Sequence, residues 1–136
     1  GVMFGLSDGG AHCGVIADAG MPSFILTHWC RDRARGPQLP LELMIKKLSH
    51  DTATAYGMPD RGLLAEGYMA DVNVIDFEKM QLRRPTAEYD LPAGGRRLLQ
   101  RVDGYRYTLK SGVTTFIDGE HTGALPGTLV RGGKAA

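Results

Sequence analysis

The chain has 136 residues, which is enough for one ordinary domain or for parts of two. Hydrophobic residues make up 43% and charged residues 23%, and no apolar run approaches the roughly 20 residues that cross a bilayer, so we expect a soluble, cytoplasmic protein without a membrane partner. The formal net charge of +1 carries no electrostatic signature of nucleic-acid binding, so no nucleic-acid partner is expected.

The N-terminal stretch predicts a buried strand that leads into a polar loop. Val2 to Leu6 are mostly apolar, and the run SDGGAH follows directly at residues 7–12. In βα architectures, functional side chains lie on loops at the carboxyl edge of the sheet. Asp8 comes two residues after the last apolar residue, and Gly9 and Gly10 leave space beside it. This loop is therefore a candidate site.

Two interpretations of this loop stay open. A carboxylate at Asp8 is able to accept a proton from water or to bind a divalent metal, but Asp-Gly-Gly is also an ordinary turn sequence. His12 either touches substrate or site water, or is a hydrogen-bonded structural residue. We expect His28 and His50 to serve in packing and capping. Because the chain contains no HxH, HExxH or CxxC motif, the histidines alone do not predict a metal centre.

Residues 21–57 have the apolar spacing of helices. The first predicted helix has Pro22 in its first turn, and a second begins after Pro40. A third, short helix is capped by Ser49 or Asp51 and ends at the following glycine. The polar stretch after the first helix carries three arginines that we expect to be solvated at the helix end, namely Arg31, Arg33 and Arg35.

After residue 58 the apolar pattern changes to that of strands. Residues 70–77 predict a strand with one buried face, and residues 80–97, which contain two prolines, predict irregular structure. The β-rich runs GYRYTLKSG and VTTFIDG are joined by Ser111-Gly112, which predicts a hairpin.

The residues therefore predict an α/β chain in two parts. Residues 1–57 form a βα piece, and residues 58–136 form a small β module of about three or four strands. A parallel-type strand normally has neighbours on both sides, and so small a module leaves open sheet edges. We expect both parts to belong to a longer protein, or the open edges to support self-association.

Four stretches resemble, in their order and spacing, one known family. They are GLSDGGAHCGVIADAGMPSFILTHWCRDR, LSHDTATAYGMPDRGLLAEGYMADVNVIDF, YDLPAGGRR and DGEHTGALPGTLVR. Together they look like the C-terminal portion of the D-aminoacylase (N-acyl-D-amino-acid deacylase) group of the amidohydrolase superfamily. GYMADVNVID recurs widely among amidohydrolases, whereas the combination of SDGGAH, DRG and TGALPG is far more specific to the deacylase branch.

The resemblance implies a metal-dependent (β/α)8 barrel, or TIM barrel, with a small β-sandwich domain. Residues 1–57 would be the last βα unit of the barrel, and residues 58–136 the C-terminal part of the sandwich. Asp8 would be the catalytic carboxylate, which contacts the metal directly or through its water and moves a proton from that water to the leaving amine. The other ligands of one or two zinc ions would lie outside this chain. The pocket wall would include Ser7, Gly9, Gly10 and His12.

The predicted function is hydrolysis of a non-peptide C–N bond in a small-molecule N-acyl-D-amino acid. The chain alone is expected to be inactive, because its partner would be the missing N-terminal part of the same protein. Alternatives are a hydrolase of cyclic amides, such as hydantoins or dihydropyrimidines, and a non-catalytic C-terminal module or subunit. Asp60, Arg61 and Asp71 are expected to be structural, and Arg96 and Arg97 to form surface pairs.

Overall fold

The computed structural model describes residues 2–4, 7, 10 and 12–131. Its helical part begins with a 3-10 turn, Asp18–Gly20, which continues into α1 (Met21–Phe24) and then into a π-helix, Ile25–Asp32. Two further helices follow, α2 (Leu41–Leu48) and α3 (His50–Ala55). Within the described ranges, none of the helices has the length and apolar character needed to span a membrane.

The three predicted helices are confirmed, with two differences in detail. Pro22 lies in the first turn of α1 as expected. The first helix continues as a π-helix, in which the thiol of Cys30 donates to the carbonyl of Ile25 five residues earlier, at 3.7 Å. The predicted side-chain cap of α3 is wrong, because the Ser49 hydroxyl donates back to the carbonyl of Ile45 at 2.6 Å and α3 has no side-chain cap.

The buried strand predicted for Val2 to Leu6 is not observed in its described part. Val2 and Met3 are 74% and 50% exposed, and residues 2–4 pair with none of the described strands. A strand depends on a neighbour for its backbone hydrogen bonds, and here the Val2 carbonyl accepts instead from Lys47 Nζ of α2, at 2.9 Å. The rest of the prediction, at residues 5 and 6, lies outside the described residues.

The β part consists of short antiparallel strands in three small sheets. The largest sheet has the strand order β1-β6-β7-β8, and the two others pair β2 with β5 and β3 with β4. The strands are β1 (Val72–Ile75), β2 (Gln81–Leu82), β3 (Thr86–Leu91), β4 (Gly95–Leu99), β5 (Val102–Asp103), β6 (Tyr105–Lys110), β7 (Val113–Ile117) and β8 (Glu120–His121).

The predicted hairpin of β6 and β7 is confirmed. Its turn residues, Ser111 and Gly112, have φ values of 52° and 79°, the positive values that a tight hairpin turn requires. Across the same sheet, Val74 lies opposite Tyr107, which lies opposite Ile117. These three side chains are 44%, 45% and 44% exposed, so the buried face expected for the first strand is only partly covered.

The irregular structure predicted for residues 80–97 is wrong. This range contains β2, β3 and most of β4, so the β part has more strands than the three or four expected. Pro85 directly precedes β3, and Pro92 begins the turn between β3 and β4. Both prolines therefore lie where no ladder N–H is needed, and they mark the two ends of β3 rather than an absence of strands.

The hydrophobic core joins the helices to the β part. Leu26 of the π-helix and Met44 of α2 pack with Met80, which follows the 3-10 turn Phe77–Lys79. Half-buried apolar side chains surround these three buried residues, and they come from both parts of the chain, including Phe4, Ile25, Cys30, Leu39, Leu41, Leu48, Ile75, Phe77 and Tyr105.

Arg31 connects the helices to this turn through hydrogen bonds. The prediction that this side chain is solvated is therefore wrong. Its guanidinium donates to the carbonyls of Phe77, Glu78 and Met80 at 2.5, 3.2 and 2.9 Å. The side chain is only 22% exposed, and it also pairs with the neighbouring Asp32 at 2.7 Å. Arg33, by contrast, stays with its own segment, where it stacks over Trp29 at 4.6 Å.

We predict that Arg31→Met lowers the free energy of unfolding by about 2 kcal/mol, because Met fills the same volume but leaves carbonyls without their charged donor. Arg33→Met is the matched control and should cost below about 1 kcal/mol, because its contacts with Trp29 and with the carbonyls of Arg35 and Pro37 are exposed and stay within its own segment. Urea unfolding of both variants measures the difference. An equal decrease in the free energy of unfolding for both variants would show that Arg31 does not stabilise the contact between the helices and the β part.

Gly104 allows the backbone before β6 to approach the core. Its φ is +94°, and a Cβ atom there would lie 2.8 Å from the Cα of Met80 and 2.9 Å from the carbonyl oxygen of Asp76. Gly119 has a similar φ of +84°, but a Cβ atom on it would meet nothing within 4 Å. A substitution at Gly119 therefore measures the free-energy cost of positive φ alone, and a substitution at Gly104 measures that cost together with the steric clash.

We predict that Gly104→Ala lowers the free energy of unfolding by about 2 to 4 kcal/mol, since strain at positive φ adds to a backbone clash. Gly119→Ala should cost about 1 kcal/mol, because only the φ strain applies. Thermal or urea unfolding distinguishes them. A loss at Gly104 no larger than that at Gly119 would contradict the close approach to Met80.

Candidate functional site

The structure describes three of the five predicted site residues in the candidate loop. Ser7, Gly10 and His12 are all exposed, whereas Asp8 and Gly9 lie outside the described residues. A Cβ atom built on Gly10 would meet none of the described residues within 4 Å. At Gly10 the loop is therefore open toward the described part of the chain.

The loop ends in a hydrogen-bonded turn. The Gly10 carbonyl accepts from the backbone N–H of Cys13 at 3.1 Å, and the His12 carbonyl accepts from those of Val15 and Ile16, each at 2.9 Å. These bonds pair the backbone groups of an otherwise exposed segment. Gly10 and His12 are thus held in place through their carbonyls, which leaves the imidazole of His12 on the exposed side.

This turn is bonded to strand β4. The backbone N–H of Leu98 donates to the Cys13 carbonyl at 2.6 Å, and Arg96 Nη2 donates to the Gly14 carbonyl at 2.7 Å. Sequence reasoning missed the role of Arg96, for which it predicted a surface pair. No local signal reveals it, because the two bonded residues are 82 positions apart.

Arg97 does form the surface pair that was predicted. Its Nε and Nη2 atoms donate to the two carboxylate oxygens of Asp90, at 2.7 and 2.6 Å. The hydrogen bond from this guanidinium lowers the pKa of Asp90. The pair lies within the β3–β4 hairpin, so it supports the hairpin and not the candidate loop.

The described residues do not form a metal site. Among them, no three His, Cys, Asp or Glu side chains lie close enough together to hold an ion. His28 stacks on Phe24 with 4.9 Å between ring centroids, which confirms its packing role. His50 begins α3, and its Nδ1 is buried without a hydrogen-bond partner in the described part of the chain, so its expected capping role is not supported.

Asp60, Arg61 and Asp71 are structural, as predicted. Arg61 Nε pairs with Asp60 at 3.1 Å, and its Nη1 lies 3.6 Å from Asp71. Asp71 also accepts from Lys110 Nζ at 2.8 Å and from the backbone N–H of Ser111 at 2.9 Å, which ties the β6–β7 turn to the start of β1. Burial by itself raises the pKa of Asp71, but these bonds outweigh it, and the pKa is lowered.

A cavity of about 510 Å³ lies away from the candidate loop. Its walls are mostly apolar and come from the helices, from residues 62–73 and from β6, where the Tyr105 hydroxyl bonds to Ser23 at 2.9 Å. Asp71 is at its edge but is already engaged in the contacts above. None of Ser7, Gly10 and His12 lines it, so this cavity is not continuous with the described residues of the candidate site.

A model of the amidohydrolase family matches residues 2–116, and the chain therefore belongs to this family. The match begins before the candidate loop, continues through the helices and ends in β7. It confirms the amidohydrolase part of the predicted resemblance and supports a metal-dependent hydrolase as the general class. Comparisons with curated proteins and with solved structures find no match.

We predict that Asp71→Asn lowers the free energy of unfolding at pH 7 by about 1 kcal/mol, through the loss of a charged acceptor. Because folding lowers the pKa of Asp71, its contribution is present above the unfolded pKa of about 3.9 and is lost as the pH falls below that value. The difference between variant and wild type should therefore shrink in acid.

The matched control for this prediction is Asp118→Asn. Asp118 pairs with Arg106 at 3.0 Å on the surface, where both side chains are more than half exposed, so its replacement should cost below about 0.5 kcal/mol. Urea unfolding between pH 3 and pH 7 measures both variants. A difference for Asp71→Asn that stays constant down to pH 3 would contradict the charge-based role.

Proposed function

We propose that this chain is the C-terminal portion of a metal-dependent amide hydrolase that deacylates N-acyl-D-amino acids, and that Asp8 moves the proton. The observation that carries the proposal is the family match, which spans the whole SDGGAH loop. The exposed, open side of this loop at Gly10 and His12 supports it. The DRG and TGALPG stretches favour the deacylase branch over other amidohydrolases.

In this proposal Asp8 is the general base and then the general acid. It accepts a proton from the water that attacks the amide carbonyl and donates it to the leaving amine, so that the products are a carboxylate and a free amino acid. Ser7, Gly9, Gly10 and His12 form the pocket wall beside it. Glycines suit this place because they let the amide approach the backbone closely.

One or two zinc ions are part of the proposal, and they would polarise the carbonyl and favour deprotonation of water. Members of the family commonly use divalent metals. The described residues do not supply a ligand set, so the ligands would come from outside them, together with Asp8. No step of the proton transfer above depends on a particular geometry of these ions.

We also propose that the rest of the barrel and sandwich covers the open face of the large sheet. Val74, Tyr107 and Ile117 form an exposed apolar row across three strands of this sheet, which favours burial against further protein. The first strand of the sheet, β1, also has an unpaired edge. Self-association through the same edge is the alternative, and the oligomeric state in solution distinguishes the two.

We predict that Asp8→Asn, made in the protein expressed from its complete coding sequence, lowers kcat/KM for N-acetyl-D-amino acids by about 10² to 10⁴, because Asn cannot carry the proton. Asp18→Asn is the matched control and should keep the wild-type rate, since Asp18 is an exposed residue in the 3-10 turn before α1. Purified variants are compared in an assay of released amine.

Two outcomes would contradict the proposal in different ways. A near-wild-type rate in Asp8→Asn would show that Asp8 is not the proton carrier. Faster ring opening of hydantoins or dihydropyrimidines than deacylation by the wild-type protein would show that the substrate class is wrong. Loss of activity on chelation and its return with zinc would support the metal part of the proposal.

A further inference from the structure

The β3–β4 hairpin contacts the segment that carries the candidate site. Strand β4 pairs with β3 on one side only, in a two-stranded sheet. On its other side, the Leu98 N–H donates to Cys13, and Arg96 donates to Gly14, at 2.6 and 2.7 Å. The outer edge of β4 is thus occupied by the turn that follows the candidate loop.

The approach at this contact is close. A Cβ atom on Gly14 would lie 3.4 Å from the carbonyl oxygen of Arg96, so the gap between the turn and the strand is about the size of one methyl group. Gly10 is bonded to the same turn through Cys13 N–H, at 3.1 Å. The hydrogen-bonded path from β4 therefore reaches Gly10, which is itself one of the proposed pocket residues.

We propose that β4 positions the site-bearing loop and that Arg96 is a positioning residue for the proposed hydrolysis. The inference rests on the proposed role of the loop, and it adds to that role an element at residues 95–99. Arg96 is suited to the task because a charged guanidinium makes a stronger hydrogen bond to a carbonyl than a neutral donor does. In this proposal Arg96 acts by holding the Gly14 carbonyl in place and does not contact the substrate.

The neighbouring arginine supplies a control within the same strand. Successive side chains of a strand point to opposite faces, and Arg97 accordingly pairs with Asp90 of β3 while Arg96 reaches Gly14. Arg97→Met removes a charge and an ion pair from the same hairpin without touching the loop. Arg96→Met removes the hydrogen bond to the Gly14 carbonyl, and Arg96→Lys keeps a charged donor on a long side chain.

The test has two measurements on the three variants and the wild type, all expressed from the complete coding sequence. Hydrogen exchange of the peptide covering residues 7–16 reports the stability of the turn whether or not the protein is active. We expect Arg96→Met to exchange about three- to tenfold faster there, Arg97→Met to match the wild type, and Arg96→Lys to recover in part. Deacylation of N-acetyl-D-amino acids then measures kcat and KM.

For deacylation, Arg96→Met should lower kcat more than it raises KM, with an unchanged midpoint of urea unfolding, and Arg96→Lys should restore part of kcat. The proposal is overturned if exchange in Arg96→Met equals that of the wild type, if Arg97→Met has the same effect, or if exchange rises while kcat is unchanged. Absence of deacylation in the wild type contradicts the proposed function alone, because the exchange measurement still decides whether β4 holds the loop.

Discussion

The contact of Met80 with the helices holds the described structure together. Met80 packs with Leu26 and Met44 in the buried cluster, and the turn before it accepts the hydrogen bonds of Arg31. Gly104 also lies close to this methionine. Leu26, Met44 and Met80 are three of the few buried hydrophobic side chains among the described residues, and their contact joins the helices to the β part. A change there should therefore affect both parts at once.

The candidate loop is attached in a different way. The turn that follows it contacts β4 at Cys13 and Gly14 through hydrogen bonds near the surface, and water competes for such bonds more effectively than it does in a core. Segments of this kind open at lower free energy than the core does. The described residues thus combine a buried contact at Met80 with a weaker, hydrogen-bonded contact between this turn and β4.

The helices and turns that are determined by neighbouring residues were predicted correctly from the sequence. Helical spacing together with Pro22 located the helices, and Ser111-Gly112 located the β6–β7 turn. Predictions that depend on distant partners were wrong. The β3–β4 hairpin was predicted to be irregular because prolines lie at both ends of β3, and residues 2–4 were predicted to be a strand but pair with none of the described strands. For the site, the residue types indicated a candidate loop but left Asp8 open between a turn residue and a catalytic carboxylate. The family resemblance favoured the catalytic role, which stays a prediction because Asp8 lies outside the described residues. The contact of Arg96 could not be predicted, because only the fold brings residues so far apart together.

The ion pairs of the described residues indicate which carboxylates are available as a general base for hydrolysis. Several carboxylates are engaged with cations in structural positions, so that their charge already stabilises turns and strand ends. Such pairs are Asp71 with Lys110, Asp90 with Arg97, Asp51 with Lys46, Asp103 with Arg83 and Asp118 with Arg106.

The hydrogen bonds to Asp71 and Asp90 lower the pKa of these two carboxylates, which makes them weaker bases. A general base for amide hydrolysis is therefore better sought on a loop whose backbone is held while its side chains remain open. The SDGGAH loop combines these two properties at Gly10 and His12, because their carbonyls are bonded into a turn and their outer side is exposed. That combination, together with the family match across the loop, is why the proposal places the proton transfer at Asp8.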